Sequence, residues 1–368
     1  MIKTKKKLII FMPFIGGGGV EKNLFLIANF LSKKLDKIKI CTITNKSRKK
    51  FDNSINFICP KKNYSENLNI RIKYIICLYE LYKYLKKNRD SVVLSFQANI
   101  YCIIVCKLLG IKIIVRSNSS PSGWYHNFFK KLIYKKIISL ANKVIVNSID
   151  FKKQMTKEFK IKVENIFNPL NIGEIKKKSK ENINYNFSKK KINIINIGRL
   201  TEQKDQITIL KSVNQLKNKL KIKLLIIGSG SERNNLDTYI KKNKLSKFVE
   251  IKNFLENPYP FILKSDLFIL SSKYEGLPNV LLEAAVLKKF IISTNCPTGP
   301  REILDNGKGG FLFNIGDYDK LSKLIYFVFN NKNKLKKKID YTFISLSKYD
   351  LKKNLMKYYQ LLLPYLKS

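Results

Sequence analysis

One alternation runs twice through this 368-residue chain: short β-branched runs, each followed by a segment of helical periodicity. In the first half the runs fall at residues 8–12, 38–44, 91–96, 111–116 and 143–147, with helical stretches at 20–35, 70–87 and 125–140. A polar interval rich in Lys, Asn and Ser follows at 171–190 and reads as a domain connection. The pattern then restarts, with runs at 192–197, 223–227, 249–252, 267–270 and 290–293 and helical stretches at 206–217, 232–242, 258–264 and 279–287. Such alternation builds βαβ units, whose strands pair in parallel and are covered by helices on both faces. The expectation is an α/β chain of two successive doubly wound domains. An amphipathic segment at 348–366, rich in Leu and Tyr, is expected to pack back across the first of them.

Charge is the feature most open to misreading. A formal net charge of +46 resembles a nucleic-acid signature, yet only seven of the 72 basic residues are Arg. The lysines spread along the whole chain and form no single basic arm, so the reading is compositional and no nucleic-acid partner is expected. What remains is an attraction to anionic lipid surfaces and phosphorylated substrates. Six cysteines show no CxxC pair and read as buried thiols of a reducing compartment; Cys102 and Cys106, four apart in an apolar helical stretch, read as packing residues. The apolar run at 8–15 is short and passes straight into glycines, as a first strand would and a signal peptide would not. No segment reaches the roughly 20 apolar residues of a spanning helix.

Chemistry collects at the ends of the expected strands, where open α/β sheets bind ligands. The run Glu275-Gly276-Leu277-Pro278-Asn279-Val280-Leu281-Leu282-Glu283 sets two carboxylates eight positions apart. Gly276 suits a tight turn, Pro278 suits the first helical position, and the amides of Asn279 and Val280 would then point at an anion. Glu283 sits in an otherwise apolar helix and needs a partner there, for which a vicinal diol such as a ribose offers two donors. A solvated loop Glu followed by a Glu at the edge of a core stays open as the plainer alternative. Gly198-Arg199-Leu200 with Lys204 brings a guanidinium and an ammonium to one turn, a pairing able to clamp a diphosphate. Gly16-Gly17-Gly18-Gly19 follows the first strand, where it allows a ligand close to the backbone or simply makes a flexible turn. Gly228-Ser229-Gly230 leaves room for a base or ribose, or is an ordinary strand-to-helix turn. The run 296–302 adds Arg301 beside the Glu275 loop.

Taken together and in this order, these residues resemble the retaining glycosyltransferases of family four, along nearly the whole chain. Further matches are Ser95-Phe96, Arg116-Ser117-Asn118 with Pro121, Asn147-Ser148, Asn168-Pro169 and Pro297-Thr298-Gly299-Pro300-Arg301-Glu302. The resemblance implies a GT-B fold, two facing Rossmann-like domains with a cleft between them. Residues 1–168, joined by a C-terminal helix at 345–368, would form the acceptor domain, and 169–344 the nucleotide-sugar donor domain. It implies that Arg199 and Lys204 bind the donor diphosphate, that Glu283 binds the ribose, and that Glu275 contacts the transferred sugar. The backbone at Gly276, Leu277, Asn279 and Val280 would help to hold the phosphates. Gly228, Arg301 and Gly16 to Gly19 would complete the donor contacts.

The implied reaction moves a hexose or N-acetylhexosamine, with retention, from a nucleotide-diphosphate sugar (UDP-linked) to a hydroxyl of a lipid-linked, lipopolysaccharide or capsule glycan. The place of work would be cytoplasmic, at the inner face of the membrane. A GT-B phosphorylase or epimerase is the alternative on the same fold, and a basic nucleic-acid-binding protein the alternative on charge. Relatives often carry a His in the first domain; here the only one is His126, which either lines the acceptor side or begins a surface helix. Asp317-Tyr318-Asp319 imitates a metal motif but follows a Gly-rich turn and precedes an apolar helical stretch, so Asp317 reads as an N-cap. No metal and no cofactor are expected.

Overall fold

The computed structural model describes residues 3–62, 64, 68–118, 127–188 and 190–367. The chain forms two compact units, Met1–Pro169 with Leu351–Ser368, and Leu170–Asp350.

The first unit is built on seven strands: β1 (Lys7–Phe11), β2 (Ile38–Cys41), β3 (Asn56–Ile58), β4 (Ser91–Ser95), β5 (Lys112–Ser117), β6 (Lys143–Val146) and β7 (Glu164–Asn165). All neighbouring pairs run parallel, in the order β3-β2-β1-β4-β5-β6-β7. Helices cover both faces, so the middle residues of the central strands β1, β4, β5 and β6 are apolar, with polar residues mainly at their ends, and alternate side chains enter different cores. Ile9 and Phe11 of β1 join one core with Cys77, Leu81, Cys102 and Ile138 from the helices Ile70–Lys87, Asn99–Leu108 and Phe128–Ile138. Leu8 and Ile10 join the opposite core, with Leu24 and Ile27 of the helix Gly19–Ser32 and with Leu355, Tyr358 and Leu362 of the C-terminal helix Leu351–Lys367.

A fully buried arginine ties that C-terminal helix to the sheet. Arg116, at the end of β5, donates through Nε to the Tyr358 hydroxyl at 2.8 Å and through Nη2 to Asn168 Oδ1 at 2.6 Å, while its guanidinium lies over the Phe96 ring. Burial pushes the Tyr358 phenol above its ordinary pKa, with the Arg116 charge opposing the shift.

The second unit has six strands: β8 (Ile192–Ile197), β9 (Ile222–Ile227), β10 (Val249–Lys252), β11 (Leu267–Leu270), β12 (Phe290–Thr294) and β13 (Phe311–Phe313). They too are all parallel, in the order β10-β9-β8-β11-β12-β13. In each sheet the strand order reverses once, between β1 and β4 in the first and between β8 and β11 in the second. Those reversals open a crevice at the strands' carboxyl ends, the place where doubly wound sheets take ligands.

Four details differ from the sequence-based expectation. The strands β3 and β7 and the helices Asn99–Leu108 and Ile149–Phe159 add to the first alternation. The polar interval is not a linker: Asn171 caps the helix Ile172–Lys178, accepting from Glu174 N at 3.1 Å, and the chain changes unit at Pro169–Leu170 instead. Residues 345–350 stay with the second unit, where Leu170 pairs with Asp350 and its N–H donates to Tyr349 O at 3.0 Å. Third, Pro278 is the N-cap of its helix and Asn279 the first helical residue. Fourth, the left-handed backbone of this region lies at Thr298 (φ 62°) and Gly299 (φ 82°) and not at Gly276. A Cβ on Gly299 would run into the Gly276 carbonyl, so the tight turn expected at Gly276 is made by its neighbour across the loop.

Candidate active site

The second sheet's reversal gathers most of the expected donor-binding residues. β8 ends at Ile197 and releases Gly198-Arg199-Leu200, and β11 ends at Leu270 and releases the loop that carries Glu275. Lys204 runs its methylene stem along Gly198, since a Cβ there would lie 3.6 Å from Lys204 Cδ. Its ammonium then pairs with Glu275 Oε1, both side chains being largely buried at 15% and 8% exposure. Two residues singled out separately in the sequence, 71 positions apart, thus form one ion pair.

Hydroxyls and amides that sequence reasoning missed hold this pair. Ser272 Oγ donates to Glu275 Oε1 at 2.6 Å and Thr298 Oγ1 donates to the Glu275 carbonyl at 2.5 Å. Ser271 Oγ donates to Lys204 O at 2.9 Å. Gln203 Nε2 donates to Tyr274 O at 2.8 Å, and Gln206 Nε2 to Arg199 O at 3.0 Å, so the Arg199 turn is stitched to the Glu275 loop. The Arg199 guanidinium itself is exposed, 3.5 Å from Gln203 Oε1. Position relative to Glu275 could have flagged Ser272, three residues earlier; no signal marks the glutamines.

Neighbouring ionisable groups register the low polarity here. The Cys296 thiol is pushed up to about 12, mainly by burial and then by the Glu275 charge. Asp205, buried at the N-cap of the helix Gln206–Leu216, has its carboxyl raised by burial, against a 2.6 Å hydrogen bond from Thr208 Oγ1.

Glu283 lies in the fifth position of the helix Asn279–Val286, 3% exposed, with Tyr259 OH donating to its Oε1 at 3.3 Å. Tyr259 comes from the helix Tyr259–Lys264, and nothing in the spacing announced it. The start of the Glu283 helix carries no side-chain cap, and the Asn279 and Val280 amides fall in its first turn, beyond the reach of any intrahelical carbonyl. Arg301 is exposed on the short helix Pro300–Ile303, which follows the Gly299 turn packed on Gly276.

The glycines of 228–230 have a structural cause. A Cβ on Gly228 would strike the Gly198 carbonyl and one on Gly230 the Leu200 carbonyl, because the two loops lie backbone against backbone, with Leu200 N donating to Ser229 O at 3.0 Å. In the first unit, the Gly16–Gly19 loop turns with Gly17 at φ 90° and leads into the helix Gly19–Ser32. There Glu21 Oε1 accepts from Gly16 N at 3.2 Å, so the chain's own carboxylate sits against the loop. His126 lies outside the described residues. Asp317 is an N-cap, accepting from Lys320 N at 2.8 Å, and Asp319 accepts from Gln215 Nε2, so both carboxylates of the Asp-x-Asp run serve the local structure.

Residues 177–343 match the family model of the glycosyl transferases group 1. An uncharacterized glycosyltransferase of Methanocaldococcus jannaschii is 33% identical over 246 residues, 61% of each chain. The N-acetylgalactosamine-N,N'-diacetylbacillosaminyl-diphospho-undecaprenol 4-alpha-N-acetylgalactosaminyltransferase of Campylobacter jejuni is 27% identical over 86% of this chain and 88% of its own. Among solved structures, Anabaena HepE in complex with UDP superposes with a TM-score of 0.74 at 14% identity, over 97% of this chain and 99% of that one. Staphylococcus aureus TarM, solved with fondaparinux, α-GlcNAc-glycerol and UDP, gives a TM-score of 0.76 at 14% identity and the same coverage.

Proposed function

We propose that this chain, a glycosyltransferase with a group 1 domain and the GT-B fold, moves a hexose or N-acetylhexosamine from a UDP-linked donor to a hydroxyl of a lipid-linked or other surface glycan, with retention at the anomeric carbon. The observation that carries the reading is the convergence of Arg199, Lys204 and Glu275, with Glu283 close behind on the helix that follows, at the reversal point of the second sheet.

Each side chain has a task the chemistry requires. Cleaving the anomeric C–O bond leaves negative charge on the departing diphosphate, and pre-placed cations stabilise that charge as it develops. Lys204 is fixed for this by its ion pair, while Arg199 is exposed and able to fold over the phosphates as a fork. The first-turn amides at Asn279 and Val280, with the backbone at Gly276 and Leu277, add neutral donors at a helix N-terminus. Glu283 presents a carboxylate to the two ribose hydroxyls. Glu275, held by Ser272 and Lys204, is aimed at the transferred sugar, and Arg301 joins the donor contacts from the helix that follows the Gly299 turn packed on Gly276. The glycine turn at Gly228, packed on the Gly198 carbonyl, belongs to the donor's surroundings, and the acceptor hydroxyl gives its proton to the departing phosphate. With two cations supplied by the protein, no divalent metal is required.

The Campylobacter relative acts, by its name, on a diphospho-undecaprenol-linked glycan, which supports an acceptor of the same lipid-linked class and a place of work at the inner, cytoplasmic face of an anionic membrane. A panel of labelled nucleotide sugars tests the reading. Transfer or slow hydrolysis from a UDP-sugar, abolished by Glu283→Gln, is expected; inertness toward every donor overturns it.

A further inference from the structure

The helices on one face of the first sheet are apolar on both sides. The helix Ile70–Lys87 buries Cys77, Leu81 and Leu85 against the strands, yet exposes Ile72, Ile75 and Tyr79, spaced at i, i+3 and i+7 on its outer side. The helix Asn99–Leu108 does the same with Tyr101, Ile104 and Leu108, the last 78% exposed. The helix Phe128–Ile138 exposes Phe128, Phe129, Leu132 and Ile133, with Phe129 at 76%. All three helices feed one core and pack as neighbours, so the stripes lie side by side. On the opposite face of the same sheet the helices Gly19–Ser32 and Leu351–Lys367 expose no large apolar side chain among the described residues. Scattered apolar residues need no explanation, but three adjacent stripes confined to one face do.

Charge identifies the occupant. The three helices hold ten Lys or Arg and a single acidic residue, Glu80, whose charge is met by Lys83 at 3.6 Å. Lys86, Lys87, Lys107, Lys130 and Lys136 are exposed around the stripes. Aromatic and aliphatic side chains between flexible ammonium groups suit an anionic bilayer surface: rings enter the acyl boundary while lysines reach the headgroups. We propose that the outer face of the helices Ile70–Lys87, Asn99–Leu108 and Phe128–Ile138 docks the enzyme flat on an anionic membrane. The docking itself stands on this surface alone; its use to meet a lipid-linked acceptor rests on the function proposed above. No helix is long and apolar enough to cross a membrane among the described residues, consistent with attachment by a face.

The test is co-sedimentation with vesicles of phosphatidylglycerol mixed with phosphatidylethanolamine, and with vesicles of pure phosphatidylcholine. The full chain is compared with the triple variant Leu108→Ser, Phe128→Ser, Phe129→Ser, whose sites are exposed. Partitioning to the anionic vesicles at least tenfold stronger than to phosphatidylcholine, weakened by salt and reduced at least tenfold in the variant, is expected. The variant's melting temperature and its UDP-induced melting shift should stay at the wild-type values. Equal partitioning of variant and wild type, or none by either, overturns the proposal. So does a dimer in lipid-free ultracentrifugation that the variant dissolves, since the face would then belong to a second copy. Vesicle binding without any nucleotide-sugar activity would sink the proposed function and leave this surface standing.

Discussion

Replacing Lys204 by Met removes the cation and leaves Glu275 with Ser272 as its remaining side-chain donor. Removing one partner of a fully buried ion pair costs about 3–5 kcal/mol, most of it the penalty on the charge left behind. The pair here keeps 15% and 8% exposure, and the Ser272 hydrogen bond at 2.6 Å survives, so the expected cost falls to about 2–3 kcal/mol. For a unit of this size that is a drop of about 5–10 °C in its melting transition. Glu275→Gln should cost less, because an ammonium with a flexible stem can turn to water where a carboxylate in a tight loop cannot. Calorimetric melting of both single variants and the double variant then gives a coupling energy of about 1–2 kcal/mol. A Lys204→Met protein melting within 1 °C of wild type (about 0.4 kcal/mol), or a coupling below about 0.5 kcal/mol, would show that the ion pair does not stabilise this loop.

Three further outcomes follow from the same contacts. Gly228→Ala forces the loops at 198–200 and 228–230 apart, costing about 2–3 kcal/mol in denaturant unfolding of the second unit, because its Cβ would strike the Gly198 carbonyl. Tyr358→Phe leaves Arg116 Nε without its acceptor in a fully buried site and should destabilise the first unit by about 1.5–3 kcal/mol, while a UDP-induced melting shift persists. Asp205 has a folded pKa above its ordinary value of 3.8, so the unfolded chain binds fewer protons just above that value and stability falls as pH rises through the folded pKa. Asp205→Asn, which still accepts from Thr208, should therefore be more stable than wild type at pH 7, and melting curves from pH 7 to 3.5 should show the difference closing toward acid.

The fold was legible because both sheets are parallel and buried on two faces, which writes several strands as unbroken apolar runs such as 8–11 and 267–270. The two-residue β7 and the three-residue β3 were not, being too short to carry a period. Helix Ile172–Lys178 hid in a polar interval because it buries little more than Ile175. Arg199 and Glu283 stood out by residue type, a scarce Arg and a carboxylate in an otherwise apolar helix, while Lys204 and Glu275 were marked only by their spacing from those two. Their supporting groups did not stand out. Ser272, Gln203, Gln206 and Tyr259 are common residue types, and their value lies in contacts across loops that only the sheet order brings together. Glycine was the least readable residue. Gly228 and Gly299 answer to neighbouring carbonyls, at 198 and 276, and a sequence names the small residue without naming what approaches it.

Isothermal titration of UDP into the wild-type chain and into Arg199→Ala, Lys204→Met and Glu283→Gln tests most directly whether the second sheet's reversal is a nucleotide-sugar site. The expected result is saturable binding of one UDP per chain without added metal and unchanged by EDTA, weakened at least tenfold by each substitution. UDP binding undiminished in all three variants, or no binding by a folded wild-type protein, would contradict it.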